Sequence, residues 1–387
     1  MNKKEIFFLC RYSNMELQDN YSQESNLSLS RKVTGILSVI KEAGHGASII
    51  VTDTGNIKKS QKKVFHKNDI KIIKPRKYDI KIRWINYFLN ILSTTFEVYR
   101  LKKRDSIFIS WDYLPDTIIP IIFNNLKKGN HIIDLEEKIS NDPEANLFFK
   151  IFEKILIGKI SNDYFASNKN LLPRKFNRAL IMPGFFAEDL IEEEDVIKKI
   201  QDKCLNLKSK KTINVIFSGR FDSNRGIDQF ISLAKKYKKN HSFSFEIFGF
   251  GNKKKKQEID KIIKHHKNIK LFYEEKRSQL ISHLINADVA FNYLSDENFI
   301  LESFPSKIVE QINFCPVIMS NFKVVELESD RIVLFDSEDD AKKVLDNIHI
   351  HLETFKLKFI KDTKDKRFSK IFSIKNKSKE ARYFFDA

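Results

Sequence analysis

Cysteine is scarce in this chain of 387 residues. Cys10, Cys204 and Cys315 are odd in number and far apart, and none sits in a Cys-x-x-Cys pair or a Cys/His cluster with metal-ligand spacing. That argues against a disulfide framework or a structural zinc site, and a reducing compartment fits best. Long apolar runs are missing as well. No stretch holds the roughly eighteen uninterrupted apolar residues that a membrane-spanning helix needs. The first apolar run, Ile6 to Leu9, is too brief for the apolar region of a signal peptide and reads as a strand. The expected location is therefore cytoplasmic. There is no repeat at a period of 20 to 50 residues, which removes a solenoid, and no zinc-finger, RNA-recognition or basic-zipper signature.

Charge of one sign is in excess. The formal net charge is +18, with 42% hydrophobic residues and 31% charged ones. Between Lys58 and Arg83 stand Lys58, Lys59, Lys62, Lys63, Lys67, Lys71, Lys74, Arg76, Lys77, Lys81 and Arg83 against only Asp69 and Asp79. Such a block is either a solvated face of a lysine-rich chain or a docking patch for anionic lipid or a phosphorylated substrate. Nucleic acid is not expected, because the block lacks the interleaved aromatics of a single-strand binder. Immediately after it, Ile82, Trp84, Ile85, Phe88, Leu89, Leu92 and Phe96 recur at helical spacing over 80–99. That stripe is either core or a helix lying in a membrane interface.

Length implies two domains. Apolar strand-like runs alternate with helix-period segments in both halves, so the predicted class is α/β with two doubly wound parallel sheets. The first half offers strands at Ile6–Cys10, Ala47–Val51, Ile107–Ser110, His131–Leu135, Tyr164–Ser167 and Ala179–Met182. The second offers strands at Thr212–Ser218, Phe243–Phe248, Ile269–Phe272, Asp288–Leu294, Pro316–Ser320 and Arg331–Phe335. The charged stretch Ala187–Lys211 reads as the connection plus a leading helix. The predicted division is 1–185, 186–360 and a basic tail, 361–387, that is helical and packs back on the first domain.

Two stretches of the second half carry chemistry. Val215 to Gly219 is a buried strand that runs into a polar loop holding Arg220 and Arg225, and Gly226 then opens a helix. Ligands of open parallel sheets bind beyond the carboxyl ends of strands, where two guanidiniums can grip a diphosphate. Further on, Glu302-Ser303-Phe304-Pro305-Ser306-Lys307-Ile308-Val309-Glu310 sets two carboxylates either side of seven residues, with Pro305 suited to a helix's first turn. Helical spacing buries Ile308, Val309 and Ile312 and puts Glu310 on the face of Ser306 and Lys307. The helix start favours an anion, and the carboxylates can accept from sugar and ribose hydroxyls. Between these lies Gly249-Phe250-Gly251, a turn where backbone can approach a nucleotide closely.

With Asn286-Ala287-Asp288-Val289 and Cys315-Pro316-Val317-Ile318, these residues resemble the retaining GT-B glycosyltransferases often called family 4, over about 214–321. The resemblance implies two Rossmann-like domains facing a central cleft, with the acceptor bound by the first and the nucleotide-sugar donor by the second. It implies that Arg220 and Arg225 bind the donor diphosphate, that Glu302 faces the transferred sugar and that Glu310 binds the ribose. The family usually has lysine at the position of Arg225, and often glycine at that of Pro305. Proline followed by Ser306-Lys307 resembles a subgroup acting in bacterial surface polysaccharides, and it moves backbone contacts to Ser306 and Lys307. The first half matches less: its first loop, 11–31, is polar and poor in glycine. Glu136 and Glu137 end a strand where many relatives carry histidine and aspartate. They either contact the acceptor hydroxyl or donor sugar, or cap the next helix.

A departing nucleoside diphosphate develops charge that preorganised cations stabilise. No Asp-x-Asp triplet occurs, so arginine rather than a metal is expected to hold it and no cofactor is implied. The expected activity is transfer to a polysaccharide or lipid-linked glycan, with the protein at times peripheral on the inner face of the cell membrane. The alternatives are a sugar-nucleotide epimerase or phosphorylase on the same fold, or a basic membrane-binding scaffold without catalysis.

Overall fold

Short runs of Ile, Val and Phe alternating with amphipathic helices build two sheets in the computed structural model. The structure describes residues 3–11, 27–52, 63–67, 70–78, 81–124, 130–136, 147–157, 159–182, 199–200, 202, 212–221, 225–251, 253–273, 277–295, 306–323, 327–365, 367–368 and 373–386. The first sheet holds β1 (Glu5–Cys10), β2 (Gly46–Val51), β3 (Lys63–Lys67), β4 (Ile70–Lys74), β5 (Ser106–Trp111), β6 (His131–Leu135), β7 (Asp163–Ala166) and β8 (Arg178–Ile181). Their order is β3-β4-β2-β1-β5-β6-β7-β8. Neighbours run parallel except the edge pair β3–β4, which is antiparallel.

Alternation along β1 divides the core between two faces. Ile6, Phe8 and Cys10 pack on α1 (Leu27–Glu42) through Val33, Ile36, Leu37 and Ile40. Phe7 and Leu9 face the other way, against Val98 of α2 (Arg83–Leu101) and Ile121 of α3 (Pro115–Phe123). Pro115 opens α3, where its missing N–H costs nothing. On that same side α4 (Leu147–Leu156) contributes Phe152 and Leu156 beside Ile133, Leu135 and Tyr164.

The second sheet comprises β9 (Ile213–Arg220), β10 (Phe243–Phe250), β11 (Ile269–Tyr273), β12 (Val289–Asn292), β13 (Val317–Ser320) and β14 (Ile332–Leu334), all parallel, in the order β11-β10-β9-β12-β13-β14. Its helices are α5 (Ile227–Lys236), α6 (Lys253–Ile263), α7 (Arg277–Asn286), α8 (Ser306–Phe314) and α9 (Glu338–Lys364). A last helix, α10 (Ile374–Asp386), leaves that unit and inserts Ala381, Phe384 and Phe385 into the core of the first. In both sheets the chain steps outward one way and then returns past its first strand. The order therefore reverses between β1 and β5 and again between β9 and β12, and such reversals open a crevice at the carboxyl ends of the strands.

Two local features go beyond the sequence reading. Part of the basic block is sheet edge: lysines alternate with Val64, Ile70 and Ile72 in β3 and β4. Helix α9 continues beyond residue 360. The stretch 187–211 lies almost wholly outside the described residues.

Candidate active site

The carboxyl ends of β9, β10 and β12 meet the start of α8. Gly219 of β9 stands in register with Gly249 of β10, and Arg220 with Phe250. No side chain fits at 249, since a Cβ there would overlap the carbonyl oxygen of Gly219 and reach Phe221 Cε1 at 2.5 Å. The ladder continues one residue further, Phe221 N–H donating to Phe250 O at 2.9 Å. Gly251, at φ +117°, then turns the chain, and its carbonyl accepts from Tyr273 Oη at 2.8 Å.

Gly226 closes the loop after β9. Its φ of +86° caps α5, and a Cβ would lie 2.6 Å from Tyr293 Cβ and 3.0 Å from Tyr293 O. The start of α5 is thereby held against the end of β12. Arg220 is exposed at the tip of β9, and Arg225 is half-buried immediately before Gly226.

Lys307 lies in the first turn of α8. Its Nζ fills the space beside Gly219 and lies 5.9 Å from the centroid of the Phe217 ring. Gln311, one turn along α8, accepts from Asn292 Nδ2 through Oε1 at 2.7 Å and donates to Ser218 Oγ at 3.2 Å. This buried chain ties α8 to both strands that flank the reversal. The far end of α8 is gripped by Arg331, whose guanidinium donates to Ile312 O and Cys315 O, each at 2.8 Å, and to Asp362 Oδ2 at 2.8 Å. A helix start, an ammonium and the end of a strand carrying Arg220 thus share one place, and all three favour an anion.

Glu310 is half-buried, three residues along α8 from Lys307 and so on its side of the helix. Ser306 is the first residue of α8. Gly219 touches both Gly249 and Lys307, with Arg220 and Gly251 adjoining along the strands, while Arg225 stands beside Gly226 where that glycine packs on Tyr293. Glu302 and Pro305 lie outside the described residues, as does Glu137. Sequence reasoning missed Asn292, Gln311 and Ser218, which are polar positions ending or facing apolar strands, and it missed Arg331.

Glu136 belongs to the corresponding end of the first sheet. The Lys32 ammonium of α1 pairs with Glu136 and, at 3.2 Å, with Asp134. The Glu136 N–H donates to Asp112 Oδ1 at 2.8 Å, and Ser167 Oγ donates to Glu136 O at 3.0 Å. Burial pushes the Asp134 carboxyl up, against the pull of Lys32. Arg11, at the end of β1, clasps Asp116 through Nε at 3.0 Å and Nη2 at 3.1 Å, while Thr52 Oγ1 donates to the same carboxylate at 3.1 Å. Burial also pushes the Cys10 thiol well up, so at neutral pH it is a packed thiol and not a thiolate nucleophile.

Residues 198–352 match the family model for glycosyl transferases group 1, a span that contains β9 to β14 and the start of α8. That domain marks the protein as an enzyme, a glycosyltransferase. No curated protein matches the chain by sequence. Solved structures resemble it over its full length. One is an alpha,alpha-trehalose-phosphate synthase (UDP-forming) from Burkholderia xenovorans in complex with glucose-6-phosphate, at TM-score 0.66 and 10% identity, covering 99% of this chain and 100% of that one. Another is described as trehalose-6-phosphate from E. coli bound with UDP-2-fluoro glucose, at TM-score 0.66 and 12% identity, covering 99% of each chain. An OtsA apo structure matches at TM-score 0.66 and 13% identity, again over 99% of each chain. The fold is α/β with two domains built on parallel sheets, the GT-B architecture.

Proposed function

We propose that this enzyme transfers a sugar, with retention of configuration, from a nucleotide diphosphate-sugar to a polysaccharide or lipid-linked glycan, as family 4 enzymes of bacterial surface-polysaccharide type do. The observation that carries the reading is Lys307: a cation on the first turn of α8, seated against Gly219 at the reversal of the second sheet. The donor diphosphate lies there, held by Arg220, Arg225, Lys307 and the backbone of α8 from Ser306. Gly249 and Gly251 let the nucleotide approach the backbone, Glu310 accepts from the ribose, and Glu302 faces the sugar.

In the reaction the bond from the anomeric carbon to the phosphate oxygen breaks and the acceptor oxygen bonds to that carbon. The acceptor proton leaves with the nucleoside diphosphate. Charge grows on the phosphate as the bond stretches, so cations fixed beforehand lower the barrier more than they tighten ground-state binding. No metal or cofactor is assigned a role. Glu136, held by Lys32, helps to orient the acceptor hydroxyl at the end of the first sheet.

Two structural neighbours support a nucleotide-sugar donor and a sugar acceptor, since one is bound with UDP-2-fluoro glucose and another with glucose-6-phosphate. No helix among the described residues is long and apolar enough to cross a membrane. We place the enzyme in the cytoplasm, peripheral to the membrane's inner face where its acceptor is lipid-linked. Calorimetric titration against a panel of nucleoside diphosphates tests the site. One of them should bind, and Lys307→Ala and Glu310→Ala should each lose at least about tenfold in affinity while the melting temperature holds. A panel in which nothing binds would sink the donor assignment.

A further inference from the structure

The outer surface of α2, α3 and α4 has the wrong polarity for a face turned to water. All three helices cover one side of the first sheet. Their far sides carry large apolar groups: Trp84 is 72% exposed, Phe88 54% and Phe96 62% on α2, Phe123 68% on α3, and Leu147 70% on α4. On α2, positions 84, 88, 92 and 96 make a single stripe along a helix of 19 residues, about 28 Å long.

The charges are sorted in the opposite sense. The one acid of α2, Glu97, and the one acid of α4, Glu153, are buried. Cations frame α2 at both ends: Arg76 and Lys81 before it, Arg100 in its last turn, and Lys102, Lys103 and Arg104 after, all exposed. Among the described residues from 70 to 124 the one exposed acid is Asp105. An ordinary surface helix buries its apolar stripe and shows both signs of charge. Here a second apolar stripe faces out between two cationic ends.

We propose that this face docks the protein on an anionic lipid bilayer. Helix α2 lies in the plane of the interface with its aromatic stripe at the acyl boundary, and the flanking cations sit among lipid phosphates. Pairing with a second copy through the same face would bring two cationic rims together, so charge selects the lipid. The purpose of the docking rests on the transferase reading, because a lipid-linked acceptor is met where it resides.

Flotation of the full chain tests the docking. The protein should rise with vesicles containing about one-third phosphatidylglycerol, and roughly tenfold less with pure phosphatidylcholine. Trp84 emission should shift to the blue on the anionic vesicles only. Phe88→Ser with Phe96→Ser should cut binding by about tenfold or more, with an unchanged melting temperature because both rings are solvent-facing. Lys103→Glu with Arg104→Glu should abolish the preference for anionic lipid. The proposal is overturned by an absence of flotation, by flotation that survives the double serine change, or by a dimer that the serine change dissolves. Flotation needs no nucleotide and the nucleotide titration needs no lipid, so each claim can fail alone.

Discussion

Lys307 Nζ occupies the space beside Gly219 that a larger residue at 219 would require. The atom in the way is the end of a flexible side chain, so Gly219→Ala should displace the ammonium and spare the fold. Gly219 also holds a φ of +158°, a conformation that L side chains rarely adopt, so we expect a stability cost of about 1–3 kcal/mol together with a loss of nucleoside diphosphate affinity of roughly tenfold or more, matching Lys307→Ala. Calorimetry on both variants decides the matter. Full-strength binding by the alanine variant would show that the ammonium does not hold the ligand.

Gly249 presents the contrasting case. A Cβ there meets the carbonyl of Gly219, and strand backbone cannot swing aside as a lysine tip does. Gly249→Ala should cost about 3 kcal/mol or more through strand displacement. Gly251→Ala finds ordinary contact distances, 3.6 Å to Phe221 N, and pays only for its left-handed φ, about 1–2 kcal/mol. Urea midpoints should rank the two in that order, and a reversed ranking would refute the close-approach argument.

Arg331 is fully buried and bonded on three sides, with its guanidinium carbon 5.2 Å from the ring centre of Phe359 and 5.3 Å from that of Phe368. Arg331→Met should cost about 3–5 kcal/mol, because Asp362 and the last carbonyls of α8 lose their partner inside the protein. Arg331→Lys should not rescue it, lacking the planar fork. Since α8 carries Lys307 at its other end, nucleotide affinity measured well below the melting temperature should also fall. A lysine variant as stable as the parent would contradict this.

His131 supplies a pH signature. Its Nε2 lies 3.0 Å from Ser110 Oγ, and burial pushes its pKa down to about 3 from an unfolded value near 6.5. A depressed folded pKa contributes stability above pH ~6.5 that is lost as pH falls towards about 3, with a slope of up to ~1.4 kcal/mol per pH unit. Asp134, pushed up by burial, acts in the opposite sense, so the comparison with His131→Gln isolates the histidine. Denaturation curves between pH 7 and pH 4 should converge for the two proteins as pH falls. Parallel curves would mean that His131 charges inside the fold.

Much of the architecture is written in local pattern. Period-two and period-3.6 runs placed β6 at His131–Leu135 and the buried face of α8 at Ile308, Val309 and Ile312. The edge strands β3 and β4 escaped notice because lysines alternate with apolar residues there, which looks like a charge run until the pairing Val64–Ile73 supplies the reason. Helix α4 went unread although Leu147, Phe148, Ile151, Phe152, Ile155 and Leu156 repeat there at helical spacing. At the site, glycines and cations in one loop are visible in sequence. The Asn292–Gln311–Ser218 chain joins residues 93 apart and needed the fold to reveal it. The outward stripe of α2 was legible as amphipathic, but which side faced the sheet was decided by Val98 and Ile91, not by the aromatics.

Helix α10 has a consequence for biogenesis. Ala381, Phe384 and Phe385 complete a core whose other members lie before residue 183, and Arg178 donates to Phe384 O at 2.8 Å. Roughly 200 residues separate the last strand of the first sheet from the helix that seals it, about 10–40 s of translation at ordinary ribosomal speeds. The nascent first unit therefore waits half-assembled, with Ile6, Val33 and Phe165 under-covered, while the later unit emerges and can reach its own native state first. The core residues of the second unit end at Phe368, so they are all made before the helix that completes the first.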